Sequence, residues 1–142
     1  SSTVAVASEF LDDGLVLYSK DGDGDRIDYE VESGGLATDI PLVLLVNYLS
    51  ASGSEVLAAA LQDHGRAILI GTRTYGKGSV NLPKQLSDGS GLYFTIARWY
   101  SPDGRLIEGE GLNPDFEVPP VFVEGHDLQL DTAVSYLLSL ED

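Results

Sequence analysis

An α/β fold is predicted by three features of the sequence. Two apolar runs, Leu42-Val43-Leu44-Leu45-Val46 and Ala67-Ile68-Leu69-Ile70, have the composition of strands covered on both faces of a sheet. Between them, residues 54–64 repeat apolar side chains at helical spacing, so that Val56, Ala59, Ala60 and the Leu57–Leu61 pair share an inward face. The third feature is composition: 43% hydrophobic residues together with 16 glycines suit a turn-rich α/β globule. A length of 142 residues corresponds to one domain or part of one and suffices to bury a core. No apolar run reaches the roughly 18 residues that a transmembrane helix needs.

Taken in order, residues 2–11 read as a helix with Val4, Ala7, Ser8 and Leu11 on one face and Gly14 just past its end. This helix starts at the first residue of the chain, without a lead-in. Residues 15–18 and 27–31 then read as two strands of a hairpin, the second alternating as a half-buried strand does. Their connection, Asp21-Gly22-Asp23-Gly24-Asp25, has the outline of a calcium loop, with Glu32 at the twelfth position. Arg26 nevertheless stands at the sixth position, where the sharp turn needs glycine, and Asp28 at the eighth, where an apolar residue belongs. Asp-Gly repeats are ordinary hairpin residues, and the segment is read as a turn.

Gly34-Gly35 breaks the chain ahead of the first apolar run. That run delivers the chain to a serine cluster beyond a strand's carboxyl end, where sites in α/β proteins commonly form. The following helix stops at His64 with Gly65 as its left-handed cap. Residues 80–86 and 92–100 read as further strands, the latter long and alternating, and Pro83 assigns the former to an edge or a bulge. Asp103-Gly104 and Asn113-Pro114 mark turns. A last helix, from about Leu128 and capped by Asp127, is expected to turn Leu130, Ala133, Val134 and Leu137 inward. There are no internal repeats, low-complexity segments or linkers.

Charge narrows the function. A net charge of −15 argues against nucleic-acid binding, since phosphates would be repelled. Zero cysteines excludes disulfides, thiol nucleophiles and cysteine-ligated metals. The charge is uneven: residues 66–105 carry 6 basic and 2 acidic side chains, against 2 and 12 in residues 1–65. A basic island of this kind around Lys77 would disfavour its protonated form, and a chance cluster on a solvated face would look the same.

Chemistry concentrates in Ser50-Ala51-Ser52-Gly53-Ser54-Glu55 and Tyr75-Gly76-Lys77-Gly78. A helix, a turn and a strand between them suffice to fold Lys77 back onto Ser52. A serine hydroxyl becomes a nucleophile when a neighbouring base takes its proton, and a lysine made neutral by burial can be that base. Ser52 at the start of a helix would meet free N–H groups and the positive end of the macrodipole, which favour an oxyanion. The same residues also spell an ordinary N-cap, a hydroxyl followed by an acid in the first turn, and Gly-Lys-Gly also spells a solvated turn. His64 suits a helix's last turn and His126 a loop, so a Ser-His-Asp arrangement has little support. Trp99 reads as core or groove wall.

The chain resembles the C-terminal processing (tail-specific) peptidases, secreted or periplasmic serine-lysine endopeptidases. The resemblance lies in Pro41-Leu42-Val43 through Asn47, the serine cluster, Ala60-Leu61-Gln62-Asp63-His64-Gly65-Arg66-Ala67 and residues 71–80. It continues in Leu86-Ser87-Asp88-Gly89-Ser90, Ala97-Arg98, Tyr100-Ser101-Pro102-Asp103-Gly104-Arg105 and Gly111-Leu112-Asn113-Pro114-Asp115. Motifs in one order over nearly the whole chain make it specific. It implies a crotonase-like α/β core with a mixed sheet, Ser52 as nucleophile, Lys77 as general base and the Gly53 N–H as one oxyanion donor. It implies protein or peptide substrates cut in or near their C-terminal region, no cofactor or metal, and an extracytoplasmic location such as the bacterial periplasm or cell envelope.

One departure stands out. The family usually carries glutamine four residues after the lysine, helping to orient the ammonium, and this chain has Asn81, one methylene shorter. Asn81 is therefore a supporting residue. A non-catalytic relative is the rival, since the same domain serves ligand binding in retinoid-binding proteins. The resemblance also implies that residues 1–142 are the C-terminal part of a catalytic domain. An upstream paired-glycine segment would carry a second oxyanion donor, with a PDZ module preceding it; Ser1 falls where the helix after those glycines begins. The chain alone is then expected to be inactive and prone to self-association through faces such as residues 42–46.

Overall fold

The structure is a computed structural model and describes residues 2–140. Ser1, where the resemblance sets the start of the first helix, lies outside the described residues. Helix α1 (Ser2–Ser8) buries Val4, Ala7 and Ser8, and Leu11 follows them into the core, so the expected face is the buried one although the helix stops three residues early. Strands β1 (Leu15–Asp21) and β2 (Arg26–Glu30) form the expected antiparallel hairpin. Its turn is organised by Asp21, whose Oδ1 accepts the N–H groups of Asp23 and Asp25 at 3.0 and 2.9 Å. This is an Asx turn, the ordinary use of aspartate in a hairpin. The alternation of β2 does not translate into half-burial: every residue of the strand is exposed.

Strand β3 (Val43–Val46) leads into α2 (Gly53–Asp63), which returns the chain to β4 (Ile68–Gly71), parallel to β3 and in register from Val43↔Ile68 to Val46↔Gly71. The helix ends as its sequence dictates. Gly65, at φ +63°, donates to Gln62 O and Arg66 N–H to Leu61 O, a Schellman pair. Strands β5 (Ser79–Gln85) and β6 (Gly91–Tyr100) make a long antiparallel ribbon. Then come β7 (Phe116–Glu117), the short hairpin of β8 (Phe122–Val123) and β9 (His126–Asp127), and α3 (Leu128–Leu138).

The α/β class is the observed one, but parallel and antiparallel pairing are divided between sheets. The four-stranded sheet has the order β2-β1-β6-β5 and is antiparallel throughout, the three-stranded sheet, β3-β4-β7, is parallel, and β8-β9 is a separate antiparallel pair. Pro83 sits in β5 at the sheet's edge, as expected of a residue without a backbone donor. Helices α1 and α2 pack on each other and α2 on β1 and β4, enclosing a core of Val16, Val56, Ala59, Leu61, Leu69, Ile107 and Leu112. Strand β3 lies at the edge of its sheet and leaves Leu45 exposed, so the first apolar run is covered less than its composition predicts.

Helix α3 is capped by Asp127, which accepts from Gln129 and Leu130 N–H. It is, however, rotated from the expected orientation. Gln129 and Ala133 are buried, Leu130 and Val134 exposed. The Tyr136 ring against Phe116, at 5.8 Å between centroids, and Gln129 Nε2 donating to Val118 O at 2.8 Å hold that rotation.

Candidate active site

The two loops that carry Ser52 and Lys77 leave the carboxyl ends of the neighbouring parallel strands β3 and β4. That is where helix N-termini and loop backbones converge in α/β sheets. The first loop is locked by its own side chains. Asn47 Oδ1 accepts Leu49 N–H at 2.8 Å, and Ser50 Oγ accepts Asn47 N–H at 3.1 Å. The second loop is tied to the first where Tyr75 N–H donates to Ser50 O at 3.0 Å.

Ser52 stands at the N-cap position of α2 but not in a cap's conformation. An N-cap residue normally has an extended backbone, whereas Ser52 has φ 58° and ψ −120°. Among the described residues, Ser52 and Glu124 are the non-glycine residues with positive φ. Such a conformation costs on the order of 1–3 kcal/mol and persists where surrounding structure enforces it. Ser52 is half-buried, and Gly53 opens the helix, where N–H groups lack intrahelical acceptors.

What enforces it is Glu55. Its side chain is completely buried, and its carboxylate gathers four donors. Oε2 accepts the backbone N–H groups of Ser52 at 3.0 Å and Lys77 at 2.8 Å. Oε1 accepts Gly76 N–H at 2.6 Å and the Thr74 hydroxyl at 2.5 Å. The sequence presents Glu55 as the acid of a capping motif. Its bond to Ser52 fits that pattern, but its bonds to residues 19 to 22 positions onward are tertiary and leave no local signal. Thr74 extends the network, since its Oγ1 also accepts Leu112 N–H at 2.8 Å.

Both glycines beside Lys77 are sterically required. Gly76 has φ +89°, and a Cβ on Gly78 would fall 2.5 Å from Glu108 N and 2.9 Å from Ile107 Cβ. Gly78 N–H donates to Glu108 Oε2 at 2.6 Å. Lys77 is exposed and lines a cleft of about 550 Å³ with Leu49, Ala51, Tyr75, Gly76 and Glu108. Two expectations about Lys77 therefore need correction. The described residues do not bury it, and the charged side chain that shares its cleft is an anion. Three arginines of the basic island are engaged elsewhere. Arg66 donates to the carbonyls of Phe10, Ala37 and Ile40, Arg73 to Glu110 O, and Arg105 to Asp63 and Gln62.

Asn81 lies at the bulge between β5 and β6, where its Oδ1 accepts from the Thr95 hydroxyl at 2.6 Å and its Nδ2 donates to Ser79 Oγ at 3.0 Å. Its amide thus braces the root of the ribbon. The histidines are distant from this chemistry: His64 Nε2 contacts Leu15 O at 2.8 Å, and His126 pairs with Asp131 at 3.3 Å. Trp99 packs against the core and forms part of a cavity wall. Among the described residues, no group of three or more His, Cys, Asp or Glu is arranged to hold a metal ion. Nor is any helix among them long and apolar enough to cross a membrane.

Comparison with known proteins agrees with the motifs. Carboxyl-terminal-processing peptidase 2, chloroplastic, of Arabidopsis thaliana is 40% identical over 140 residues, covering 94% of this chain and 27% of that protein. A carboxy-terminal-processing protease of Bartonella bacilliformis is 37% identical over 131 residues, 89% of this chain and 30% of its own. Among solved structures, the photosystem II D1 C-terminal processing protease superposes with a TM-score of 0.76 at 40% identity, over 82% of this chain and 30% of that one. The chain thus spans about a quarter to a third of the length of these relatives. The family model described as Peptidase family S41 matches residues 1–118, and the chain belongs to that family.

Proposed function

We propose that residues 1–142 are part of the crotonase-like catalytic domain of an extracytoplasmic serine endopeptidase that cuts protein substrates in or near their C-terminal region. The observation that carries this is the strained Ser52 at the head of α2, bound through Glu55 to the backbone of the loop bearing Lys77. Family membership and the chloroplastic and bacterial processing peptidases among the relatives support the reaction class and the compartment. A formal charge of −15 favours peptide over nucleic-acid partners.

In this scheme Ser52 Oγ attacks the scissile carbonyl and its proton passes to the neutral Lys77 amine. The tetrahedral oxyanion is met by the Gly53 N–H, which the positive end of α2 reinforces. Lys77 then gives the proton to the departing amine, the C–N bond breaks, and an acyl-enzyme remains on Ser52. Water, deprotonated by Lys77, releases the acyl product. Asn81 acts at one remove, holding the first residues of β5 in line behind Lys77 through Ser79 and Thr95. Coverage of Lys77 by further protein or by the bound peptide would supply the desolvation that its exposed position lacks.

The test is peptide hydrolysis by the full-length protein. Ser52→Ala and Lys77→Ala each abolish turnover while leaving the far-ultraviolet spectrum unchanged, and Lys77→Arg is equally inactive because guanidinium stays protonated. Normal turnover in Lys77→Ala would sink the assignment of the base. Failure of a serine-directed probe to label Ser52 would favour a non-catalytic, ligand-binding relative.

A further inference from the structure

Three of the chain's eight basic residues stand in one row across the antiparallel sheet. Lys20 of β1 is paired in register with Arg26 of β2 on one side and with Arg98 of β6 on the other. Leu17 and Trp99, on the alternate face of the same strands, pack against the core, so the row lies on the sheet's outer face. Like charges set directly opposite each other destabilise a sheet. At one end of the row the chain relieves this itself. Asp28 pairs with the Arg26 guanidinium, which lies 3.8 Å from the centroid of the Tyr18 ring. At the other end there is no such relief: among the described residues, the side chains of Lys20 and Arg98 form neither an ion pair nor a hydrogen bond.

Lys20 and Arg98 border a concavity of about 220 Å³ with Gly22, Thr95 and Tyr100. Lys20 Nζ sits 5.6 Å from the centroids of both Tyr18 and Tyr100, whose rings stack 5.0 Å apart. These contacts hold the ammonium beside the concavity without neutralising it. We propose that this end of the row docks a short acidic peptide segment, whose carboxylates do for Lys20 and Arg98 what Asp28 does for Arg26. The segment belongs to the protein substrate, an identification that rests on the endopeptidase scheme above. Adjacent strands lie about 4.8 Å apart, and carboxylates on alternate residues of an extended peptide about 6.6 Å apart, so two of them can meet the two cations. The free Arg98 guanidinium can hold one carboxylate through two parallel bonds. A longer polyanion or an anionic lipid surface fits poorly. Asp21 shares the concavity wall, Asp23 and Asp25 occupy the adjoining turn, and the chain carries −15 overall, so repulsion sets in beyond the two cations. Arg98 is also paired in register with Ser79, two residues after Lys77, which sets this site beside the proposed catalytic loop.

The experiment measures binding apart from cleavage, by fluorescence anisotropy on the full-length protein carrying Ser52→Ala. The probes are a labelled peptide in which glutamate alternates with serine and its glutamine counterpart. The glutamate peptide is expected to bind about tenfold tighter, with the gap closing as added salt screens the charges. Lys20→Gln and Arg98→Gln should each weaken it by about three- to tenfold, and Lys84→Gln, on the ribbon, should leave it unchanged. Equal binding of the two peptides, or a preference that survives both neutralisations together, would overturn the docking site. Because the comparison of peptides needs neither neutralising variant, a misfolded one would not spare the proposal. Sedimentation with phosphatidylglycerol vesicles, lost on neutralising Lys20 and Arg98 and without preference between the peptides, would overturn it in favour of a lipid surface. In the parent enzyme, joining the acidic segment to a cleavable peptide should lower KM and leave kcat unchanged. Selective binding by the Ser52→Ala protein with no cleavage by the parent would uphold the docking site and overturn its assignment to a substrate.

Discussion

The loops that follow β3 and β4 and the ribbon of β5 and β6 meet at Gly78–Ser79, and they are held by different means. In the loops, backbone donors from residues 52, 76 and 77 converge on one carboxylate that water does not reach. In the ribbon, Leu82, Leu92, Tyr93 and Phe94 are all exposed, and its outer half depends on ladder hydrogen bonds and its turn. A buried acceptor holds its donors because each would be costly to leave unpaired. A two-stranded ribbon in water has no such penalty and is marginal alone. The difference suits the proposed chemistry, which needs Ser52 and the backbone at Lys77 fixed and requires no such precision further along the ribbon.

Removing the acceptor tests this most severely. Glu55→Ala strands three N–H groups and the Thr74 hydroxyl, and the protein is expected to lose about 3–5 kcal/mol in chemical denaturation. Glu55→Gln keeps one oxygen but turns an amino group toward two donors, and should fall between the two. Parent-like stability in both variants would show that Glu55 does not hold the two loops together.

Next comes a paired truncation. Leu69→Ala, at a completely buried position in β4, should cost about 2–5 kcal/mol. Leu92→Ala, at an exposed position of the ribbon, should stay within about 0.5 kcal/mol. Equal losses would mean that the ribbon is covered in solution.

The same contrast explains what the sequence made legible. Signals that act within a few residues were readable: Gly65 ending α2, Asp127 capping α3, Asp21 folding the hairpin turn, Pro83 marking an edge. So were the turns that carry Ser52 and Lys77, which Gly53, Gly76 and Gly78 mark locally. Coverage was not readable. Alternation in β2 and β6 shows which side chains share a face, but a face is buried only if another layer lies on it, and both strands remain largely exposed. Helix α3 shows the same gap, with Gln129 buried and Val134 exposed, because Phe116 and Val118 set its rotation from outside. The basic island failed as an electrostatic argument for a related reason. Arg66, Arg73 and Arg105 are close to Lys77 in sequence but spend their donors on distant partners.

Between the two regions, Gly78→Ala should cost about 1–3 kcal/mol, since its new methyl meets backbone and the Ile107 side chain rather than a flexible tip. The loss should come with reduced peptide hydrolysis, because Lys77 is the next residue along the displaced loop. Parent-like activity and stability together would show that Glu108 and Ile107 yield without moving the lysine.

The smallest effect belongs to the ribbon's far end. Asp88 Oδ1 accepts the Ser90 hydroxyl at 2.6 Å and the Ser90 N–H at 3.0 Å. The hydroxyl bond first, and the amide bond second, hold the Asp88 carboxyl below its ordinary value. A carboxyl lowered on folding stabilises the turn above the unfolded pKa of about 3.9, and this contribution fades as pH falls through the lower folded value. The side chain is fully exposed, so solvent screens the gain and Asp88→Ala should not measurably alter global unfolding. The local signature is nonetheless accessible. In an acid titration followed by NMR, the Ser90 amide resonance should move with a midpoint below about 3.9, and the movement should vanish in Asp88→Ala. A midpoint at or above that value would mean that the turn opens in solution and that the ribbon's tip lacks even this local restraint.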